Sequence, residues 1–123
     1  MKKNMIEKQT MQNGIILIST FSDEASLINL SHIVVSEKKI CACVNYTTVK
    51  SIYRWHSVLQ HENEFIAFFK STEDHTEELK TEIKKNHPYD LPEIVIVKMN
   101  DVSPEYLNWM YYSTHSENTT VNS

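Results

Sequence analysis

From Ile40 to Lys70 the chain runs without a glycine or a proline, and no helical period replaces the missing punctuation. Val44, Tyr46, Thr47, Thr48, Val49, Ile52 and Tyr53 all favour extended backbone. A break near His56-Ser57 separates this arm, Ile40 to Trp55, from a second, Val58 to Lys70, which ends in the apolar block Phe65-Ile66-Ala67-Phe68-Phe69. The pattern predicts a β-hairpin with arms of about 13–16 residues, where ordinary strands have about five or six. At about 3.3 Å per residue each arm reaches roughly 40–50 Å. A domain of about 100 residues has a radius of gyration of only about 13 Å, so the hairpin overshoots it. Its far end needs something to pack on, most economically another copy of the chain, and an oligomer is expected.

The remaining segments alternate. Gly14 to Thr20 is a short apolar, β-branched run that reads as a buried strand. Ser22 and Asp23 offer N-caps to a helix carrying Leu27, Leu30 and Val34 and ending near Lys38-Lys39. Ser71-Thr72-Glu73-Asp74 fits a capping box opening a second helix with Leu79 and Ile83 on one face. His87-Pro88 closes it, because proline disfavours helix at the residue before it. Glu93 to Met99 reads as a last strand, and Ile94-Val95-Ile96-Val97, apolar on both faces, marks it as central. Ser103-Pro104-Glu105 starts a helix to Ser113 with Tyr106, Leu107, Trp109 and Met110. The expected fold class is α+β, ferredoxin-like βαββαβ with a long hairpin and a C-terminal helix. Residues 1–12 are expected to be a flexible leader, 13–113 the domain, and 114–123 a disordered tail of mostly Ser, Thr, Asn, Glu and His.

Composition excludes several functions. At 123 residues there is room for one domain. A formal charge of -4 argues against a nucleic-acid partner, and one glycine rules out a glycine-rich phosphate cradle. No apolar run approaches the eighteen or so residues of a membrane span, so no membrane partner is expected. Ile15 to Ile18 is too short for a signal-peptide core. Cys41 and Cys43 sit awkwardly for a mutual disulfide, and a reducing cytoplasm is the expected compartment. An acylphosphatase-type enzyme needs an Arg-bearing anion loop after the first strand, but the chain has Thr20-Phe21-Ser22-Asp23. An RNA-recognition module needs a Gly-Phe pattern and basic strands, which are missing too.

Three stretches resemble the CutA family of divalent-cation tolerance proteins: Cys41-Ala42-Cys43-Val44-Asn45, Ser51-Ile52-Tyr53-Arg54-Trp55, and His87-Pro88-Tyr89-Asp90-Leu91-Pro92-Glu93-Ile94. Tyr106-Leu107 and Trp109 are similar to that family's C-terminal helix. The resemblance spans about residues 13–113 and implies a non-enzymatic homotrimer whose long hairpins join into shared sheets, with a role in the response to metal ions and copper binding. No cofactor is required; copper or another divalent cation is the candidate ligand. The chain lacks the glycines that family members commonly carry after Asn45 and after the hairpin Trp. Ser19 and Asn86 stand where some members have a Cys and a second His, so His87 remains of that set.

The candidate residues each carry two readings. His87 is either a metal ligand, matched by copies from neighbouring subunits, or a helix-end histidine bonded to a backbone carbonyl. Cys43, with Cys41, is either a copper(I) thiolate or core packing. His56, His61, Glu62 and Glu64 form either a metal site or a solvated edge that discourages aggregation; Glu62 and Glu64 share one strand face and can both point into an intersubunit cleft. Tyr53, Trp55, Tyr89 and Glu93, with His87, can line that cleft for an anion or a metal complex, or pack an interface. Glu77, Glu78, Lys80, Glu82, Lys84 and Lys85 read as a solvated helix face. Beside the metal-response reading stand a small-ligand signalling module resembling the PII proteins and a trimeric scaffold anchoring a partner protein.

Overall fold

The computed structural model describes residues 12–115, so the expected leader and most of the expected tail lie outside the described residues. Strands β1 (Gly14–Phe21), β2 (Cys43–Trp55), β3 (Val58–Thr72) and β4 (Val95–Lys98) form one sheet in the order β2-β3-β1-β4. All three neighbouring pairs are antiparallel. Helices α1 (Glu24–His32) and α2 (Thr76–Asn86) cover one face, and α3 (Pro104–His115) follows β4. Alternation along β1 sends Ile15, Leu17 and Phe21 into the core, where they meet Ala67 and Phe69 of β3 and Leu27, Leu30, Val34, Leu79 and Ile83 of the helical segments. On the other face Leu107 and Met110 of α3 pack on Ala42, Met99, Val102 and Tyr106.

Local chemistry explains the element ends. Asp23 is the cap of α1, accepting from the Ser26 N–H at 2.7 Å, and this bond holds its carboxyl below the usual range. The helix expected to reach Lys38-Lys39 widens into a π turn over Ile33–Glu37. The Val34 carbonyl then accepts from both Ile40 and Cys41, at 2.9 and 3.1 Å, and turns the chain into β2. The hairpin closes on His56 and Ser57, both at positive φ (50° and 68°), as a two-residue turn matched to strand twist requires.

Three expectations are corrected. Ser71-Thr72 is the buried end of β3 and opens no capping box: the Ser71 hydroxyl donates to the Ile40 carbonyl at 2.7 Å, and a 3-10 turn, Glu73–His75, precedes α2. The last strand is four residues long and lies at the sheet edge, with Val95 and Val97 45% and 43% exposed. Its two-sided apolar pattern therefore serves a face that this chain alone leaves open. The C-terminal helix runs two residues past Ser113, because Thr114 is buried and bonds the Met110 carbonyl.

The hairpin is as long as its sequence predicts, with arms of 13 and 15 residues. β1 pairs with β3 only from Phe65 to Thr72, so the pairs from Val49↔Glu64 to Trp55↔Val58 run on as a two-stranded ribbon. Seven residues at about 3.3 Å carry the ribbon roughly 23 Å past the end of β1. It exposes Ile52, Val58 and Leu59 by 67%, 57% and 58%.

Candidate functional site

Where the ribbon leaves the sheet, the segment after α2 folds back against it and encloses a cleft of about 550 Å³. Thr20, Ser51, Tyr53, Trp55, Glu64, Pro88, Tyr89, Asp90, Leu91 and Glu93 line it. Strand alternation brings the first set together: Ser51 and Tyr53 face the same way as Glu64, because their partners across the ladder are Glu62 and Gln60, two and four residues from it. Proline at 88 and at 92 keeps the other wall out of helix. Tyr53, Trp55, Tyr89 and Glu93, expected to line a cleft between subunits, line this one within a single chain, and His87 is not among its lining residues.

The two walls are tied by one bond. The Tyr89 hydroxyl donates to Glu64 Oε2 at 2.6 Å, and Glu64 is only 7% exposed. Burial, then the Glu64 carboxylate that accepts this bond, push the Tyr89 phenol well above its ordinary range. Desolvation and the charges of Glu62 and Glu64 also raise Tyr53. Glu62 itself is exposed and does not line the cleft.

His87 lies behind the cleft as a structural residue. Its Nε2–H donates to the Thr20 carbonyl at 2.8 Å, and Nδ1 accepts from the Tyr89 N–H at 3.0 Å. The ring stacks on Phe21 at 4.3 Å. Burial lowers its pKa, against the opposing pull of the Thr20 carbonyl and Glu64, so the ring is neutral at pH 7 and both nitrogens are engaged. Within one chain this is the geometry of a helix-end histidine, with both ring nitrogens bonded. Ser19 does approach His87, at 3.2 Å, but it brings a hydroxyl in place of a soft thiolate. Asn86 turns away to the Glu82 carbonyl at 2.8 Å.

The other candidates stay apart. Cys41 is buried in the core, where desolvation pushes its thiol up to about 12, and it donates to the Lys70 and Cys43 carbonyls. Cys43 is partly exposed and meets only the Asn45 side-chain oxygen, at 3.5 Å, so the two do not form a paired thiolate site. His56 packs edge-on against Trp55 at the ribbon tip, and His61 is exposed, so the solvated edge accounts for both.

Sequence reasoning missed another cluster. Asp74, His75 and His115 each place a ligating atom within 4.8 Å of the other two, where the turn into α2 meets the end of α3. Among the described residues no other three His, Cys, Asp or Glu side chains approach so closely. In sequence Asp74 reads as part of a capping box, and His115, 41 residues further on, as part of a polar tail.

Comparison with known proteins agrees with this architecture. The family model described as CutA1 divalent ion tolerance protein matches residues 15–113. A divalent-cation tolerance protein CutA from Yersinia pestis is 39% identical over 99 residues, covering 80% of this chain and 82% of that protein. The crystal structure of the divalent ion tolerance protein CutA1 from Ehrlichia chaffeensis superposes with a TM-score of 0.80 at 26% identity, covering 85% of this chain and 97% of its own. Pyrococcus horikoshii CutA, crystallised in guanidine hydrochloride, gives 0.78 at 34% identity, covering 81% and 98%. With a family match over most of its length and a four-stranded antiparallel sheet and three helices like those of these structures, this chain belongs to the CutA1 divalent ion tolerance family.

Proposed function

We propose that this chain is a cytoplasmic, non-enzymatic homotrimer that responds to divalent metal ions by binding them in the cleft between its hairpin and residues 88–93. The observation that carries this reading is the charge of the cleft. Glu64, Asp90 and Glu93 line it, and no lysine or arginine does. Uncompensated carboxylates in a partly enclosed space attract cations and repel anions. The same charge argues against an anionic ligand, and so against a signalling module of that kind. The donors are all oxygen, which suits hard cations such as Mn²⁺, while copper binds tightly to most donor sets. Tolerance of divalent cations, for which the relatives are named, is consistent with this chemistry.

The trimer is supported by the ribbon. A two-stranded hairpin alone in water is marginal at best, and this one exposes Ile52, Val58 and Leu59. Val95 and Val97 at the open edge of the sheet add a second apolar surface for a neighbour. Among the described residues no helix is long and apolar enough to cross a membrane.

The test is a titration of Mn²⁺ into chelator-stripped full-length protein, followed by loss of the free-ion EPR signal, with light scattering on the same sample. Binding that weakens at least about tenfold in Asp90→Asn/Glu93→Gln, with a mass about three times the 14.4 kDa of one chain, is expected. Absent binding, or equal binding by the variant, overturns the cleft reading; a monomeric mass overturns the trimer.

A further inference from the structure

We propose that Asp74, His75 and His115 form a second metal site, distinct from the cleft, that takes one borderline divalent ion such as Zn²⁺ per chain and fastens the C-terminal helix to the turn entering α2. Two imidazoles and one carboxylate are a donor set used for zinc and other first-row ions, with remaining positions left to water. The three ligating atoms lie within 4.8 Å of one another. Around a zinc ion with bonds of about 2.1 Å, ligand atoms stand about 3.4 Å apart. The Asp74–His115 pair, at 2.7 Å, has to open to that spacing when an ion enters between them.

Each ligand is already held from behind. Thr72 Oγ1 donates to Asp74 Oδ1, fixing the carboxylate at the start of the turn. The His115 ring stacks on Tyr111 at 4.0 Å, and its Nδ1–H donates to the Tyr111 carbonyl at 2.8 Å. His75 lies 4.7 Å from His115, ring to ring, and contacts Glu78 Oε1 at 3.3 Å through Nδ1. A carboxylate or carbonyl on the far nitrogen is the usual support of a metal-bound histidine.

The hydrogen-bond count is the second observation. His115 has an oxygen at each nitrogen: the Tyr111 carbonyl at 2.8 Å and the Thr114 hydroxyl at 2.9 Å beside Nδ1, and Asp74 Oδ2 at 2.7 Å from Nε2. His75 also has an oxygen at each nitrogen, the Thr114 carbonyl at Nε2 (3.1 Å) and Glu78 at Nδ1. The junction is rich in acceptor oxygens, which a second ring proton or a metal cation between the rings and Asp74 balances.

The experiment uses chelator-stripped full-length protein, titrated calorimetrically with Zn²⁺ and optically with Co²⁺. Wild type is compared with His115→Ala, His75→Ala and the cleft variant Asp90→Asn/Glu93→Gln. One Zn²⁺ per chain, a visible Co²⁺ ligand-field band, and at least about tenfold weaker binding in each histidine variant but not in the cleft variant are expected. Asp74→Asn, which keeps the Thr72 contact, guards against a folding artefact: circular dichroism must match wild type while Zn²⁺ affinity falls. Zinc binding that survives in all three site variants, or is lost only in the cleft variant, overturns the second site and leaves the cleft reading standing. Absence of Zn²⁺ binding by wild type also overturns it.

Discussion

Replacing Tyr89 by Phe removes one hydroxyl and leaves the ring, so it isolates the bond that joins the two walls of the cleft. Tyr89 donates to Glu64 at 2.6 Å, and Glu64 is 7% exposed, so little water is at hand to replace the lost donor. A hydrogen bond to a charged group contributes about 1.5–3 kcal/mol. With a urea dependence of roughly 1–3 kcal/mol per molar, the unfolding midpoint should fall by about 1 M. Tryptophan fluorescence is a suitable probe because Trp55 lines the cleft, and protein concentration must be fixed because an oligomer's midpoint depends on it. A double-mutant cycle with Glu64→Gln should return most of the loss as coupling between the two positions. The pH dependence supplies a sign. The folded Tyr89 phenol titrates above its unfolded value of about 10, so its contribution is complete below pH 10 and is lost as pH rises past it. Wild type should therefore lose stability more steeply than Tyr89→Phe above about pH 10. If both single variants unfold within about 0.5 kcal/mol of wild type and the cycle shows no coupling, the bond does not hold the cleft.

Two other outcomes are expected. His87→Ala should cost about 2–4 kcal/mol by removing the Phe21 stack and the link between Thr20 and Tyr89, without changing Zn²⁺ affinity. Because burial depresses the His87 pKa, its share of stability is present above about pH 6.5 and fades as pH falls, so denaturation at pH 7 and pH 5 should differ less in the variant. A thiol reagent at pH 8 should label one cysteine per folded chain quickly. Cys43→Ser should abolish that phase, while Cys41, raised to about 12, reacts only on unfolding; two equal fast phases would contradict its burial.

The hairpin was legible because it follows from local pattern, and so was the non-helical segment that walls the cleft. An unpunctuated β-type run, a polar break at His56-Ser57 and the Pro88-to-Pro92 segment each act within a few residues. The edge position of β4 was not legible, since two-sided apolar character reads identically whether the second face meets a sheet of the same chain or another molecule. Ser71 was misread for a related reason: Ser, Thr and acid at capping spacing also describe a strand end whose hydroxyl is used by a distant carbonyl, here that of Ile40. The Asp74–His75–His115 cluster was invisible because no local signal links positions brought together by helix docking, and His115 sat in a segment whose composition resembled a tail.

The place of β1 in the sheet also sets an order of assembly. Among the described strands it is the first to leave the ribosome, yet both its neighbours come later: Gly14 waits for Thr72, and Ile15 for Lys98. The β2–β3 hairpin, closed by a two-residue turn, pairs residues close in sequence and can zip on the microsecond scale. Ile15 to Ile18 therefore lacks one strand partner until Thr72 and the other until Lys98 has been made, and its insertion between β3 and β4 is expected to be the slow, long-range step. Nascent chains halted before residue 98 should engage chaperones through this strand, whereas completed chains should not.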